Sequence, residues 1–444
     1  MNLQRMRMSA TMCIGLVACA AAWVAQAADD DGSSVRPHPY PLIHIVKAWY
    51  SGLGPHPKDT YSLSHDTYHR MKTRVGPWNL SIPLDGDEGV LAKVSRFEVI
   101  APGARFISAT TNGGVPRLVP DVILLRGHLV GEPSSRVFLG FGAEGIVSGY
   151  ITRADGRRFV VSSDSRNRMT DGIPMLIREQ KPNGGLPDFP EFCGLRTDGL
   201  KIQVSGSSTR SVPLLGGPRI AFVAIDTDSY YLQLFEGNDA AAQAYIVQVI
   251  GAVSDIYERD MDIKLQLSFV RTWPGGGEPF NAGDLFGFAN YWTANENMTG
   301  LHVVQMFSGR RDMGYGGIAY LTSPCNGDAF SIAGYLNGSF PSPVDDADLG
   351  NWDIVVVAHE MGHNMGTLHT HDYDPPIDQC AFGTWARSDI MSYCHTTAGG
   401  MLNIDPRFHW RVQDTIVSTV EGGGCLWLDC NANGVNDATD IALS

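Results

Sequence analysis

The stretch His359-Glu360-Met361-Gly362-His363-Asn364-Met365-Gly366-Thr367-Leu368-His369, of pattern H-E-x-x-H-x-x-G-x-x-H, constrains this chain more than any other. Histidines four residues apart on a helix share a face, so His359 and His363 can reach a single metal ion. Glu360 follows the first of them and lies beside that ion. Gly366 can take the left-handed conformation that ends a helix, which turns the chain and brings His369 round as a third nitrogen ligand. Three protein ligands leave the fourth corner of a tetrahedral ion open to water, whereas a structural zinc site is closed by a fourth Cys or His. The stretch therefore predicts a catalytic zinc ion with a carboxylate next to its open corner.

At 444 residues the chain is long for one core, and two sizeable domains are expected. A hydrophobic content of 43% with 18% charged residues excludes wholesale disorder, and the net charge of -14 argues against a nucleic-acid partner. Residues 1–27 read as an export signal: Arg5 and Arg7, an apolar run over 8–24, then Ala25-Gln26-Ala27 as a small-x-small cleavage site. Within it Leu16-Val17-Ala18-Cys19 resembles a bacterial lipobox, and a lipid on Cys19 would tether the protein to a membrane without spanning it. The expected location is thus secreted, with a lipid-anchored or periplasmic protein as the alternative. Export places Cys193, Cys325, Cys380, Cys394, Cys425 and Cys430 where disulfides form.

Residues 28–205 form the first mature segment. Short apolar runs such as Phe97-Glu98-Val99-Ile100, Val122-Ile123-Leu124-Leu125 and Phe159-Val160-Val161 are punctuated by Ala101-Pro102-Gly103 and Gly131-Glu132-Pro133, so this part reads as mostly β. It holds no catalytic constellation. The segment Arg126-Gly127-His128-Leu129-Val130-Gly131-Glu132-Pro133-Ser134-Ser135-Arg136-Val137, with Gly145-Ile146-Val147-Ser148-Gly149-Tyr150-Ile151 after it, resembles the propeptide of ADAM and reprolysin (adamalysin) metalloproteases. A β accessory domain without a pro-function is the competing reading. A Pro/Gly-rich passage over 181–190 leads to Glu191-Phe192-Cys193-Gly194-Leu195-Arg196-Thr197-Asp198. A thiolate binds zinc strongly, so Cys193 can fill the open corner and keep water out. Its C-G-x-x-x-D pattern resembles the cysteine switch of zinc-protease propeptides, and a disulfide through Cys193 is the alternative.

From about residue 220 the pattern alternates. Ile220-Ala221-Phe222-Val223-Ala224-Ile225 is a continuous apolar strand, fit for a sheet covered on both faces. Asn238 or Asp239 can cap a helix in which Tyr245, Ile246, Val249, Ile250, Val253 and Tyr257 make one apolar stripe. Ile263, Leu265, Leu267 and Phe269 alternate with Lys264, Gln266 and Ser268, a strand with one solvated face. A helix near 285–292 precedes the strand His302-Val303-Val304-Gln305-Met306-Phe307. The order β, α, β, α, β predicts a three-layer α/β sandwich over 213–425. Asp353 can cap the helix that carries the histidines, whose β-branched run Ile354-Val355-Val356-Val357 is helical only if burial overrides propensity.

Phe222-Val223-Ala224-Ile225-Asp226, Val304-Gln305-Met306-Phe307-Ser308-Gly309-Arg310 and Gly317-Ile318-Ala319-Tyr320-Leu321, with Cys325 after them, are similar to reprolysins in matching order. The resemblance implies the metzincin fold, a mixed sheet with a zinc helix. It implies that Gly317-Ile318-Ala319-Tyr320-Leu321 is the sheet edge along which a peptide substrate pairs, an ordinary buried strand being the alternative. It implies a Met-turn beneath the metal at Met391, in Ser388-Asp389-Ile390-Met391-Ser392-Tyr393, and a disulfide Cys325–Cys425, with Cys380–Cys394 then closing the loop before the Met-turn. Metal binding by these cysteines is the weaker reading. Two departures stand out. Reprolysins carry Asp directly after the third histidine, whereas Thr370 and His371 precede Asp372 here; His369 keeps the ligand spacing and leaves His371 a decoy or a supporting group. Tyr393 stands where reprolysins have proline and is similar to the tyrosine of astacins and serralysins, which binds the metal or stabilises the tetrahedral intermediate; plain packing is the alternative.

The chain ends with a run in which Asp429, Asn431, Asn433, Val435, Asp437 and Asp440 take EF-hand positions 1, 3, 5, 7, 9 and 12 with Gly434 at 6. Residues 429–444 look like one dockerin-type repeat, for which calcium is the cofactor, and a polar tail is the alternative. The whole predicts a secreted zinc endopeptidase acting on proteins or peptides, made as a latent precursor, with Glu360 as the base. The alternatives are an inactive metzincin-fold binding or adhesion protein and a pappalysin-like or astacin-like protease.

Overall fold

The computed structural model describes residues 42–47, 60–73, 76–84, 89–111, 113–143, 145–163, 172–180, 191–197, 199–203, 217–340, 351–429 and 437. The segment read as an export signal, with Cys19, lies outside them, as do Cys430, Asn431, Asn433, Val435 and Asp440 of the run read as a calcium loop. Among the described residues no helix is long and apolar enough to cross a membrane.

In chain order the first half contributes β1 (Leu42–His44), β2 (Val46–Lys47), β3 (Thr60–Ser64), helix α1 (His65–Thr73), β4 (Trp78–Ile82), β5 (Val90–Phe97), β6 (Ile100–Thr110), β7 (Gly113–Arg117), β8 (Val122–Leu129), β9 (Glu132–Gly142), β10 (Val147–Thr152), β11 (Arg158–Ser163), β12 (Gly172–Glu179) and β13 (Ile202–Gln203). The second half adds β14 (Arg219–Thr227), α2 (Ser229–Gln233), α3 (Asp239–Met261), β15 (Ile263–Thr272), α4 (Leu285–Asn295), β16 (Val303–Phe307), β17 (Gly317–Ala319), β18 (Phe330–Ala333), α5 (Trp352–Asn364), β19 (Tyr373–Asp374), α6 (Trp410–Gly423) and β20 (Trp427–Leu428).

Ten strands of the first half make one sheet, ordered β1-β4-β5-β8-β9-β10-β11-β12-β3-β2, with its own apolar core. The second sheet runs β17-β18-β16-β14-β15-β6-β7, and β20 pairs with β14. β14, β15, β16 and β18 are parallel, and β17 at the edge is antiparallel to β18. Side chains assign the layers. Gln305 reaches the Val357 carbonyl of α5, while the neighbouring positions Asp226 and Phe330 meet Trp292 and Phe288 of α4 on the opposite face. The result is a mixed α/β sandwich with α3 and α5 on one side and α4 on the other.

The structure corrects four local expectations. Helix α3, capped by Asn238, is buried on nearly all sides, including Gln243, Gln248, Ser254 and Asp255, because the first sheet covers the side that a single stripe would leave wet. Gln266 of β15 is only 4% exposed while Lys264 and Ser268 are half-buried, so the polar face of that strand is largely covered. Asp353 does not cap α5, whose first flanking residue is Asn351. Its buried carboxylate instead accepts the Asn337 and Gly338 N–H groups and the Tyr245 hydroxyl, fastening the loop before the helix to α3. Ala101-Pro102-Gly103 does not interrupt the chain as a turn either: β6 runs through it and, with β7, lies in the second sheet.

Cys325 is bonded to Cys425 and Cys380 to Cys394. The first bridge spans 100 residues of chain, from beyond β17 to the end of α6. By loop entropy, replacing both of its cysteines with alanine is expected to cost about 4–5 kcal/mol, against about 3 kcal/mol for the shorter bridge. Denaturant midpoints of the two double variants check the order.

Candidate active site

Helix α5 delivers the first two histidines. The β-branched run before them is fully buried, so packing holds a helix that propensity alone would not. After Asn364 the chain turns at Gly366, whose φ is 90°; a Cβ there would meet Thr419 of α6 at 2.6 Å, so both conformation and space require glycine. The turn brings His369 back, and the three Nε2 atoms converge: His363 lies 3.1 Å from His359 and 3.2 Å from His369. The ring of His359 donates through Nδ1 to the Ile390 carbonyl and that of His363 to the Thr367 carbonyl, each at 2.8 Å. These bonds fix the proton on Nδ1 and leave the Nε2 lone pairs facing one another.

Burial holds all three imidazoles in the neutral form, with His363 pushed down to about 4. Lone pairs at such a separation repel unless a cation lies between them. For tetrahedral zinc with bonds of 2.0–2.1 Å to nitrogen and 2.3 Å to sulfur, the ligand atoms should be roughly 3.3 Å apart for two nitrogens and ~3.6 Å for nitrogen and sulfur. Cys193 supplies the sulfur: its Sγ is 3.5 Å from His363 Nε2, and the four donor atoms all lie within 4.8 Å of one another. The donor set fits zinc.

Glu360 is buried beside the cluster. Its Oε2 is 3.7 Å from Cys193 Sγ, and its Oε1 has no hydrogen-bond partner. Burial pushes both the Glu360 carboxyl and the Cys193 thiol up from their usual ranges; a nearby divalent cation acts in the opposite sense on each. Glycine is needed at the edge strand as well, because a Cβ on Gly317 would fall 2.3 Å from Glu360 Oε1.

The Cys193 segment lies along β17 as an added parallel strand. Gly194 N–H donates to the Gly317 carbonyl (2.8 Å), Gly317 N–H to the Phe192 carbonyl (3.1 Å) and Gly316 N–H to the Glu191 carbonyl (2.8 Å). Cys193 carries a free, buried thiol. Farther on, β13 pairs with β19 just past His369. Met391 packs under the helix: a Cβ on Gly362 would meet its sulfur at 2.7 Å. Tyr393 points its hydroxyl at His369 Nε2 from 3.5 Å. His371 stacks on His369 with ring centroids 5.2 Å apart and is held outside the cluster. Of the residues expected to bind calcium only Asp429 and Asp437 are described, and Asp429 is buried.

Sequence reasoning missed Phe192 and His395. The Phe192 ring fills a pocket beside the histidines, 4.0 Å from His395, 4.7 Å from His359, 5.2 Å from Tyr393 and 5.5 Å from Trp352 by ring centroids. His395 is fully buried with neither ring nitrogen bonded. Position two after Tyr393 was the available signal, but nothing local tells a pocket wall from a loop residue.

Such a helix, sheet edge and histidine cluster define a metal-dependent hydrolase site. The family model described as Metallo-peptidase family M12 (Reprolysin_5) matches residues 218–403, from β14 to beyond Tyr393, and supports a metallopeptidase. Among solved structures, archaemetzincin from Methanopyrus kandleri is similar at 10% identity and a TM-score of 0.29, over 45% of this chain and 96% of that one. A chaperone–substrate complex is similar at 13% identity and a TM-score of 0.30, over 47% of this chain and 39% of that one. No curated protein sequence matches the chain.

Proposed function

We propose that the protein is a zinc-dependent endopeptidase, exported as a latent precursor, in which His359, His363 and His369 hold the metal, Glu360 is the general base and Cys193 closes the fourth corner. The observation that carries this reading is the convergence of three Nε2 atoms and one Sγ beside a buried carboxylate at a sheet edge. Both disulfides support an oxidising compartment, as the leader does.

When bound, zinc supplies the Lewis acidity that polarises a peptide carbonyl and makes water acidic near neutral pH. The chain's own residues do the rest. Gly317 offers one N–H and one carbonyl to a peptide laid along β17, which holds main chain irrespective of sequence. Glu360 takes the proton of the attacking water on its carboxylate and returns it to the leaving amine. Tyr393, with its hydroxyl facing the histidine cluster, is placed to donate to the oxygen on which charge develops.

With the strand around Cys193 displaced, a substrate side chain takes the place of the Phe192 ring. Peptides cut by the activated protein are therefore expected to carry Phe or Tyr at one position flanking the scissile bond. A peptide library incubated with and without a zinc chelator, with cut sites read by mass spectrometry, tests both points. Cleavage that survives the chelator counts against the zinc endopeptidase, and cleavage with a basic or small residue at both flanking positions counts against the pocket.

A further inference from the structure

We infer that residues 42–180 stay with the second half after activation as a permanent part of the working fold, and that only the strand around Cys193 has to leave. The second clause rests on the peptidase reading; the first does not.

The two halves share a sheet. β6 runs parallel to β15, pairing Ile100 with Leu267, then Arg105 with Phe269, Phe106 with Val270, Ile107 with Arg271 and Ser108 with Thr272. β7 folds back as the outer strand, exposed at every position. Stripping β6 away would bare the edge of β15 in the middle of the sheet, and an uncovered edge is a template for aggregation. A displaced propeptide would be expected to sit on the catalytic sheet, whereas this one is built into it.

The halves also share a core. Phe106, Leu124, Phe138 and Tyr150 belong to the same apolar cluster as α3 and the strands beneath it. Close approach is prepared from both sides. A Cβ on Gly251 of α3 would meet Leu124 at 2.7 Å, and one on Gly140 of β9 would meet Gln248 at 2.8 Å. Several polar groups are paired across this interface. Arg126 grips both carboxylate oxygens of Glu258 at 2.8 Å, Tyr150 donates to Asp255 at 3.2 Å, and Gln248 donates to the Ile146 carbonyl at 2.8 Å. Buried Arg158 reaches the Ile404 carbonyl and Asp405, beyond the Met-turn. Separation would leave these charged and polar groups unpartnered along with the apolar surface. By contrast, the strand at 191–195 is held by three backbone hydrogen bonds to residues 316 and 317, one aromatic ring and one thiol.

The test places a recognition site for a sequence-specific protease within 181–190, so that the cut leaves Cys193 on the C-terminal fragment and the strand cannot tether the two. The inference expects the fragments to co-elute as one species in gel filtration with or without a zinc chelator, and to part only in denaturant. An N-terminal fragment that elutes apart from a soluble, folded C-terminal fragment would overturn it. Hydrogen exchange on the uncut chain reads the same interface without an insertion: amides of β6 should exchange as slowly as those of β15. β6 exchanging orders of magnitude faster than β15 would also overturn it. Neither readout uses activity, so a failure here is distinct from a failure of the peptidase reading.

Discussion

Replacing Glu360 with alanine is expected to lower kcat by a factor of about 10²–10⁴ while the metal content stays that of the parent protein. The carboxylate is fully buried and lies beside the histidines without belonging to the four converging donor atoms. Its removal therefore takes away the proton acceptor and leaves the ligands in place. Burial already disfavours its charge, so the fold should not suffer from the loss. Glu360→Gln, which preserves shape and removes basicity, should behave the same way. A fluorogenic peptide assay and atomic absorption on the same samples separate the two effects; activity near that of the parent protein would remove Glu360 from the mechanism.

A gain of activity is expected from Cys193→Ser. Serine is a much poorer zinc ligand than a thiolate, so the uncut precursor should gain activity by roughly tenfold or more, each decade being worth ~1.4 kcal/mol. The strand is also held by its pairing with Gly317 and by Phe192 in the pocket. The double variant Cys193→Ser, Phe192→Ala is accordingly expected to exceed the single one. Precursor assays under conditions that block proteolysis measure this, and unchanged latency in both variants would show that Cys193 does not hold the protein inactive.

Much of the second half was legible because its signals are local. Asn238 caps α3, the apolar run at 220–225 lies within β14, and the spacing of His359, His363, Gly366 and His369 carries its own turn. What escaped depends on contacts distant in sequence. Ala101-Pro102-Gly103 reads as a break, yet β6 runs through it from Ile100 to Thr110, and nothing local says that its partner is β15, more than 150 residues on, rather than a neighbour. The first sheet over α3 converts an amphipathic helix into a buried one, and its polar residues pair with groups that only the fold brings near. Asp353 has the residue type and position of a cap, yet Tyr245 and the loop at 337–338 claim it. Phe192 and His395 are ordinary residues in sequence and become a filled pocket only because the Cys193 strand crosses the site.

The proposed latency and catalysis both turn on one metal ion held by His359, His363 and His369, with Cys193 at its fourth corner in the precursor. Zinc-edge X-ray absorption on the uncut protein tests this most directly. A shell of three nitrogen scatterers at about 2.0–2.1 Å and one sulfur at about 2.3 Å is predicted, the sulfur being lost in Cys193→Ser. Absence of zinc, or zinc with no sulfur neighbour in the parent precursor, would contradict it.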